Sequence, residues 1–439
     1  MESVNATAVN IKKNIGIEAS SPSSMVGKIV GRLSLNTVFL ICIGLAILGI
    51  IVFVIVYYTR KLTPEPEVSL AELRAEEVAQ LDKLKNLYVN TQGKRSDPKT
   101  TSLTRAIVPS MAERQNYLVN LCPLTVRLPG YLGPLRGGIF DEKEAIRIAV
   151  AAGARGFFIP LSYYVDGNKK PPLYPESQKP AVVARANTGE FISKNGGFLH
   201  TILQEIVAAK SNVNEPFLVF LHGDSTLPNS RLQEQVYSAY ISAVADACKQ
   251  LQPYLPKQVG QLGYTQKGRG NQSLMLQIPV QLLTTNIIVF TNLDFSMEDD
   301  PKYKRTKLGD FINIRYTNTE ESADIGKVVS LDTVKSAGDT FRKSARIQYT
   351  IALPANEQAP SAVDVQQVFA EGIQCVPLDL LASADEVKEA WNLWRGAGWI
   401  AKQESLRYTK PEEIVPQKPS AVLNARVDGA QFAGQLVVK

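Results

Sequence analysis

Between Val38 and Val56 the chain reads VFLICIGLAILGIIVFVIV, with no charge and no hydrogen-bonding side chain except the Cys42 thiol. At about 1.5 Å of rise per residue, a helix of this length spans roughly the 30 Å hydrocarbon core of a bilayer. Tyr57 and Tyr58 follow, where an interfacial anchor belongs. The pattern predicts a transmembrane helix over 37–58. A cleaved signal peptide is the competing reading, but the apolar run and its polar leader are both too long for one. Lys12, Lys13, Lys28 and Arg32 precede the run, and Arg60 and Lys61 follow it. That excess places the N-terminus on the cytoplasmic side and the large remainder of the chain opposite.

Residues 1–36, rich in Ser, Asn and Lys without a period, predict a flexible tail. Beyond Pro64 and Pro66, the stretch 69–87 sets Leu70, Leu73, Val78, Leu81 and Leu84 at helical spacing behind a Ser69 N-cap, with Glu72 three residues on. A stalk helix is expected; pairing with a partner helix is the lesser reading, because the heptad repeat is irregular. The polar stretch 91–104, TQGKRSDPKTTSLT, closes a stalk and linker of 59–110. From 111 onward short apolar runs (156–161, 217–221, 286–291, 311–316, 374–381) alternate with amphipathic helices (142–152, 198–209, 231–251). That alternation predicts parallel strands with crossover helices. The fold expected for 111–410 is an α/β, TIM-type (β/α)8 barrel, preceded by one transmembrane helix and a stalk helix, with 411–439 as a C-terminal extension. An open doubly wound sheet is the alternative, weakened because no Gly-rich phosphate loop follows any expected strand.

Composition narrows the function. A chain of 439 residues, 45% hydrophobic and 21% charged, can bury a large core. Its net charge of +6 is spread over 48 basic and 42 acidic residues without a basic stripe, which argues against nucleic acid as a partner. Cys42, Cys122, Cys248 and Cys375 lie far apart, so neither a disulfide framework nor a zinc cluster is encoded. No cofactor and no metal site is expected. The only histidines are His200 and His222. His200 falls within an amphipathic helix and reads as a surface or packed residue. His222 follows the apolar run 217–221 at the expected C-terminal rim of the barrel, with Asp224 close enough to orient it.

The segment 372–407, GIQCVPLDLLASADEVKEAWNLWRGAGWIAKQESLR, resembles the end of the catalytic barrel of eukaryotic-type phosphoinositide-specific phospholipase C: a Gly-x-Gln-x-Val-x-Leu strand, a helix ending in Trp394, then Gly396-Ala397-Gly398-Trp399. Segments 118–162, 191–225 and 287–292 are similar to that barrel in the same order. The resemblance implies a barrel scaffold. It also implies two histidines acting as general base and acid on a phosphodiester, and a calcium ion held by oxygen ligands. At the family's Ser-Ser-His-Asn strand end this chain reads Leu121-Cys122-Pro123-Leu124, and at its Glu-Leu-Asp strand end Phe158-Ile159-Pro160. Leu221-His222-Gly223-Asp224 stands where the family has Leu-Glu-Asn-His, and Val183-Ala184-Arg185-Ala186-Asn187 where it has the second histidine. Phe290 and Asn292 replace phosphate-gripping lysines. Beyond Asp224, Glu190 is the remaining rim carboxylate, too few oxygens for calcium.

The expected function is therefore a membrane-anchored, catalytically inactive phospholipase-C-like barrel serving as a structural or interaction module, in the setting of a large-virus membrane or virion. Its partners would be the bilayer, through 37–58, and a protein. One alternative is a calcium-independent phosphodiesterase centred on His222, Asp224 and Arg185. Another is non-catalytic binding of a phospholipid head group at the old pocket, helped by Arg185. Glu298-Asp299-Asp300 with the basic residues after it reads as a solvated loop, and Asn271-Gln272-Ser273 and Asn5-Ala6-Thr7 as glycosylation triplets of low specificity.

Overall fold

The computed structural model describes residues 35–62, 70–88, 115–134, 136–163, 179–186, 188–256, 278–317, 326–335, 339–355, 359–379, 389–394 and 397–409. Residues 1–34 of the N-terminal tail, the linker 91–104, both glycosylation triplets, Asn187 and the extension 411–439 lie outside them. The chain divides into two units, Met1–Val68 and Ser69–Lys439.

In the first unit the apolar run lies in helix α1, Leu35–Leu62. Its side chains from Phe39 to Phe53 that are described include large exposed apolar groups such as Leu45, Ile50 and Phe53. These positions cover only part of the helix, and among the described residues no helix is long and apolar enough to cross a membrane.

The second unit is built on eight parallel strands: β2 (Thr125–Arg127), β3 (Gly156–Leu161), β6 (Phe217–Gly223), β7 (Ile287–Thr291), β8 (Ile314–Thr317), β9 (Gly326–Ser330), β10 (Tyr349–Leu353) and β11 (Pro377–Leu378). They pair in the order β10-β9-β8-β7-β6-β3-β2-β11. A parallel bridge between Ile351 and Cys375 then brings the last strand back beside β10 and all but closes the ring. The (β/α)8 expectation thus holds as a nearly closed eight-stranded barrel, and the open-sheet alternative does not. The helices between strands include α3 (Glu142–Ala151), α4 (Leu199–Lys210), α5 (Glu234–Cys248), α6 (Leu331–Lys335), α7 (Asp339–Ile347) and α8 (Ala362–Ala370).

The period-2 alternation of each strand sorts its side chains between two cores. Val219 and Leu221 of β6, Ile287 and Val289 of β7, and Phe157 and Ile159 of β3 face the helices. Leu218, Phe220, Ile288, Phe290, Ile314, Tyr316, Tyr349 and Ile351 fill the inside. The interior is aromatic: Phe220 lies 4.7 Å from Phe290 and Phe290 4.9 Å from Tyr349, ring centre to ring centre.

Local chemistry sets the element ends. Asp141 caps α3 by accepting from the Glu144 amide, and Ser361 and Asp364 form a reciprocal capping box on α8. Gly372, at φ +78°, ends α8 in the left-handed conformation that favours glycine. The floor of the barrel is closed by β1 (Leu121–Pro123), which runs antiparallel to β12 (Trp399–Ala401). Here the most specific sequence segment finds its physical reason. Buried Gln374 takes the Thr350 amide at 2.7 Å and donates to the Val119, Ala345 and Gln348 carbonyls. The Trp394 indole donates to the Cys122 carbonyl at 3.2 Å. A Cβ on Gly398 would stand 2.6 Å from the Arg155 side chain and 2.8 Å from the Gly153 carbonyl oxygen.

The helix read as a stalk, α2 (Leu70–Tyr88), lies against the barrel. Leu84 and Tyr88 join the helix–strand core, and the Tyr88 ring packs 4.7 Å from Trp391. Gln80 donates to the Gly137 carbonyl at 3.2 Å and accepts from the Ile139 amide at 3.1 Å, while Glu76 pairs with Lys194.

Candidate functional site

Parallel strands around a barrel deliver their C-terminal ends to one face, and there a cavity of about 260 Å³ opens. Arg127 and Leu128 reach it from β2, Phe158 and Pro160 from β3, His222 from β6, Leu353 from β10 and Asp379 from the end of β11. Asp224 follows β6, and Arg185 enters from a hairpin whose arms begin at β4 (Ala181–Val182) and end at β5 (Gly197–Phe198). All three candidates read from the sequence, His222, Asp224 and Arg185, therefore line one cavity.

His222 and Asp224 do not bond each other, as an acid–base pair would; each turns to other groups. His222 continues the inward alternation of Leu218 and Phe220, so its ring caps the aromatic interior. It stacks on Tyr316 with planes 4° apart and lies 5.0 Å from Phe158. Its Nδ1 meets the Tyr316 hydroxyl at 3.1 Å, and that hydroxyl also reaches the Leu221 carbonyl at 3.4 Å. Burial among rings disfavours the imidazolium and pushes the His222 pKa down to about 4. At neutral pH the ring is uncharged: it has no proton to give as an imidazolium acid and is a feeble base.

Asp224 was expected to orient His222, and it turns elsewhere. Its carboxylate accepts from the Ser162 and Thr226 hydroxyls and, at 2.8 Å, from the Thr226 amide. Between the two residues the Asn292 side chain brackets Gly223, accepting from its amide at 2.7 Å and donating to its carbonyl at 3.1 Å. Arg185 spreads its guanidinium over Phe191 at 4.2 Å and donates to the Gly189 carbonyl at 3.0 Å. A bridge from Arg185 to Phe191 sets that geometry in the backbone. His200 is exposed on α4, with Gln250 donating to its carbonyl.

The strongest electrostatic feature of the mouth escaped the sequence. Arg127 and Asp379 form a two-pronged pair, Nε to Oδ1 at 2.9 Å and Nη2 to Oδ2 at 2.6 Å, both side chains almost fully buried. The second Arg127 Nη donates to the Ala355 carbonyl at 3.2 Å. The pair also corrects a sequence correspondence. Leu121–Pro123 belongs to the floor ribbon beside Trp399, and Leu124 donates its amide to the Gly398 carbonyl. The first barrel strand ends four residues later, so Arg127 and Leu128, not Pro123 and Leu124, stand at the mouth. A second correction concerns Glu298, expected in a solvated loop. It is buried, and its carboxylate accepts from the Leu308 and Gly309 amides at 2.6 and 2.9 Å.

Calcium, which the family resemblance implies, does not fit these residues. Both oxygens of Asp379 are held by Arg127, and both oxygens of Asp224 by Ser162 and Thr226. Glu190 does not line the cavity. Phe158 and Pro160 present carbon, and among the described residues no group of three or more His, Cys, Asp or Glu side chains gathers to hold a metal ion. Phe290 lies inside the aromatic core, and Asn292 is committed to Gly223.

No family model and no curated protein matches the chain. Among solved structures it is similar to phospholipase C enzymes. PLC21 of L. pealei shares 12% identity over 75% of this chain and 44% of its own, with a TM-score of 0.45. PLC21 of S. officinalis shares 13% over 77% of this chain and 45% of its own, at 0.44. The calcium-dependent phosphatidylinositol-specific phospholipase C of Streptomyces antibioticus shares 13% over 62% of this chain and 98% of its own, at 0.39. The chain spans less than half the length of the first two.

Proposed function

We propose that this chain is a catalytically inactive phospholipase-C-like barrel, carried on a membrane by α1, and that it works as a structural or interaction module. The observation that carries the reading is the Arg127–Asp379 pair. At the mouth, where phosphodiester chemistry needs a general base, a general acid and metal-binding oxygens, this chain spends an arginine and a carboxylate on each other. The remaining imidazole is neutral and turned to Tyr316. The apolar run of α1 and the preceding basic residues support an N-terminus on the cytoplasmic side with the barrel opposite.

The test is calcium-dependent release of inositol phosphate from phosphatidylinositol by the purified chain. No release above buffer is expected; robust turnover overturns the proposal. If a calcium-independent phosphodiesterase were at work instead, His222→Ala would abolish hydrolysis while the fold persisted. A second reading, recognition of a head group without turnover, is favoured by the cavity, which is open and lined by Arg185, Asp224 and His222 together.

A further inference from the structure

At the base of the mouth one polar atom is left over. Among the described residues, each ionic side chain lining the cavity is already engaged: Arg127 with Asp379, Asp224 with Ser162 and Thr226, and Arg185 with the Phe191 ring and the Gly189 carbonyl. His222 spends only its Nδ1, on Tyr316. Its Nε2 has no hydrogen-bond partner among the described residues and is open to the cavity. The proton on that nitrogen follows from its neighbours. The Tyr316 hydroxyl has one proton and two acceptors in reach, His222 Nδ1 at 3.1 Å and the Leu221 carbonyl at 3.4 Å. That carbonyl already accepts from the Thr291 hydroxyl at 2.9 Å, so the phenol proton goes to the nearer acceptor, Nδ1. A neutral imidazole then carries its own proton on the other nitrogen, and Nε2 is a donor.

The donor stands in apolar surroundings. The Phe158 ring lies 5.0 Å from the imidazole, Leu353 packs on the same inner core, and Leu128, Pro160, Val183 and Ile192 add carbon to the walls. An apolar cavity of about 150 Å³ holds one benzene molecule, so the 260 Å³ here suits a single ring or short chain with its substituent. An uncharged guest leaves every ionic contact of the cavity in place. A charged one must shed its water or break one of those contacts.

We propose that the base of the mouth binds a small uncharged molecule with an apolar ring or short chain and one carbonyl oxygen, which accepts from His222 Nε2 while its carbon lies against Phe158 and Leu353. This inference rests on the reading of the mouth as a site without turnover, and it names what the remaining space accepts.

The full chain in maltoside micelles is titrated with acetophenone, with ethylbenzene, which has the same shape without the oxygen, and with the benzoate anion; partition into empty micelles is subtracted. Labelling histidine with nitrogen-15 reports on His222 directly, because His200 is the only other histidine. Saturable binding of acetophenone is expected, with benzoate weaker, the His222 proton on Nε2, and a shift of that resonance on binding. His222→Phe keeps a flat ring and removes the donor. It should weaken acetophenone by about two- to tenfold, the worth of one neutral hydrogen bond, and leave ethylbenzene unchanged. Leu353→Trp, which fills the base, should abolish binding of both guests while circular dichroism stays unchanged. Equal loss of both guests in His222→Phe, binding unchanged in both variants, tighter binding of benzoate, a proton on Nδ1 instead of Nε2, or no saturable binding by the folded chain overturns the inference. Release of inositol phosphate from phosphatidylinositol by the same preparation would overturn the inactive reading while leaving the binding inference standing.

Discussion

Arg127 and Asp379, 252 positions apart, meet in a two-pronged ion pair that ties the first barrel strand to the last. Arg127 also donates to the Ala355 carbonyl beyond β10, so one guanidinium reaches three strands at the seam where the ring closes on a single bridge. A charge left alone in such a place is costly. Arg127→Met is expected to lower stability by about 3–5 kcal/mol, read as a shift in the urea midpoint. The double variant Arg127→Met with Asp379→Leu should recover much of that loss, because no uncompensated charge remains. A double variant as unstable as the single one would show that the pair is not the cause.

His222 gives the fold a pH dependence of definite sign. Its pKa falls from an ordinary 6.5 to about 4 on folding, so the unfolded chain binds the extra proton between those values. The contribution is present above pH 6.5 and drains away as the pH falls toward 4. Allowing for the ring's opening to the cavity, about 2 kcal/mol is at stake. Denaturation midpoints measured across that window should fall with pH in the parent chain and fall less steeply in His222→Phe.

The Gly398 site leaves no room for a side chain. A Cβ there would press on the Gly153 carbonyl oxygen and on Arg155, which pairs with the buried Glu215. Gly398→Ala should cost about 1–3 kcal/mol, the usual penalty of overpacking, and thermal unfolding would show it.

Helix α2 should behave as part of the barrel. Leu84→Ala removes a fully buried side chain and should cost about 2–5 kcal/mol. Hydrogen exchange would then rise at Gly137–Ile139, the backbone that Gln80 holds, as well as along α2. Faster exchange confined to α2 would mean that the helix does not brace the mouth.

Much of this architecture is legible in the residues, and what is not has identifiable causes. The runs at 156–161, 217–221 and 286–291 are continuous and apolar because both faces of a barrel strand are buried, and they became β3, β6 and β7. The first strand was displaced because LCPLTVRL is apolar apart from Thr125 and Arg127; nothing local says that a floor ribbon stops at Pro123 and a barrel strand begins at Thr125. Arg127 itself reads as an ordinary surface charge until its partner arrives from 252 positions away. Leu73, Leu84 and Tyr88 have the spacing of any amphipathic helix, and the sequence does not say whether such a face meets a partner chain or its own barrel. His222 and Asp224 reach one cavity as their place after the run 217–221 suggests, and Arg185, matched to that pocket by the family resemblance, joins them, yet the turn of Asp224 to Ser162 and Thr226 carries no local signal.

The seam has a consequence in time. During synthesis β2 emerges early, and one of its edges has no neighbour until β11 follows. At 5–20 residues per second the wait is on the order of ten to fifty seconds. An unpaired strand edge exposed for that long invites association with other chains. The ribosome thus holds this barrel ajar, and its safest passage is one in which a chaperone shields the edge of Thr125–Arg127 until Pro377 and Leu378 come to cover it.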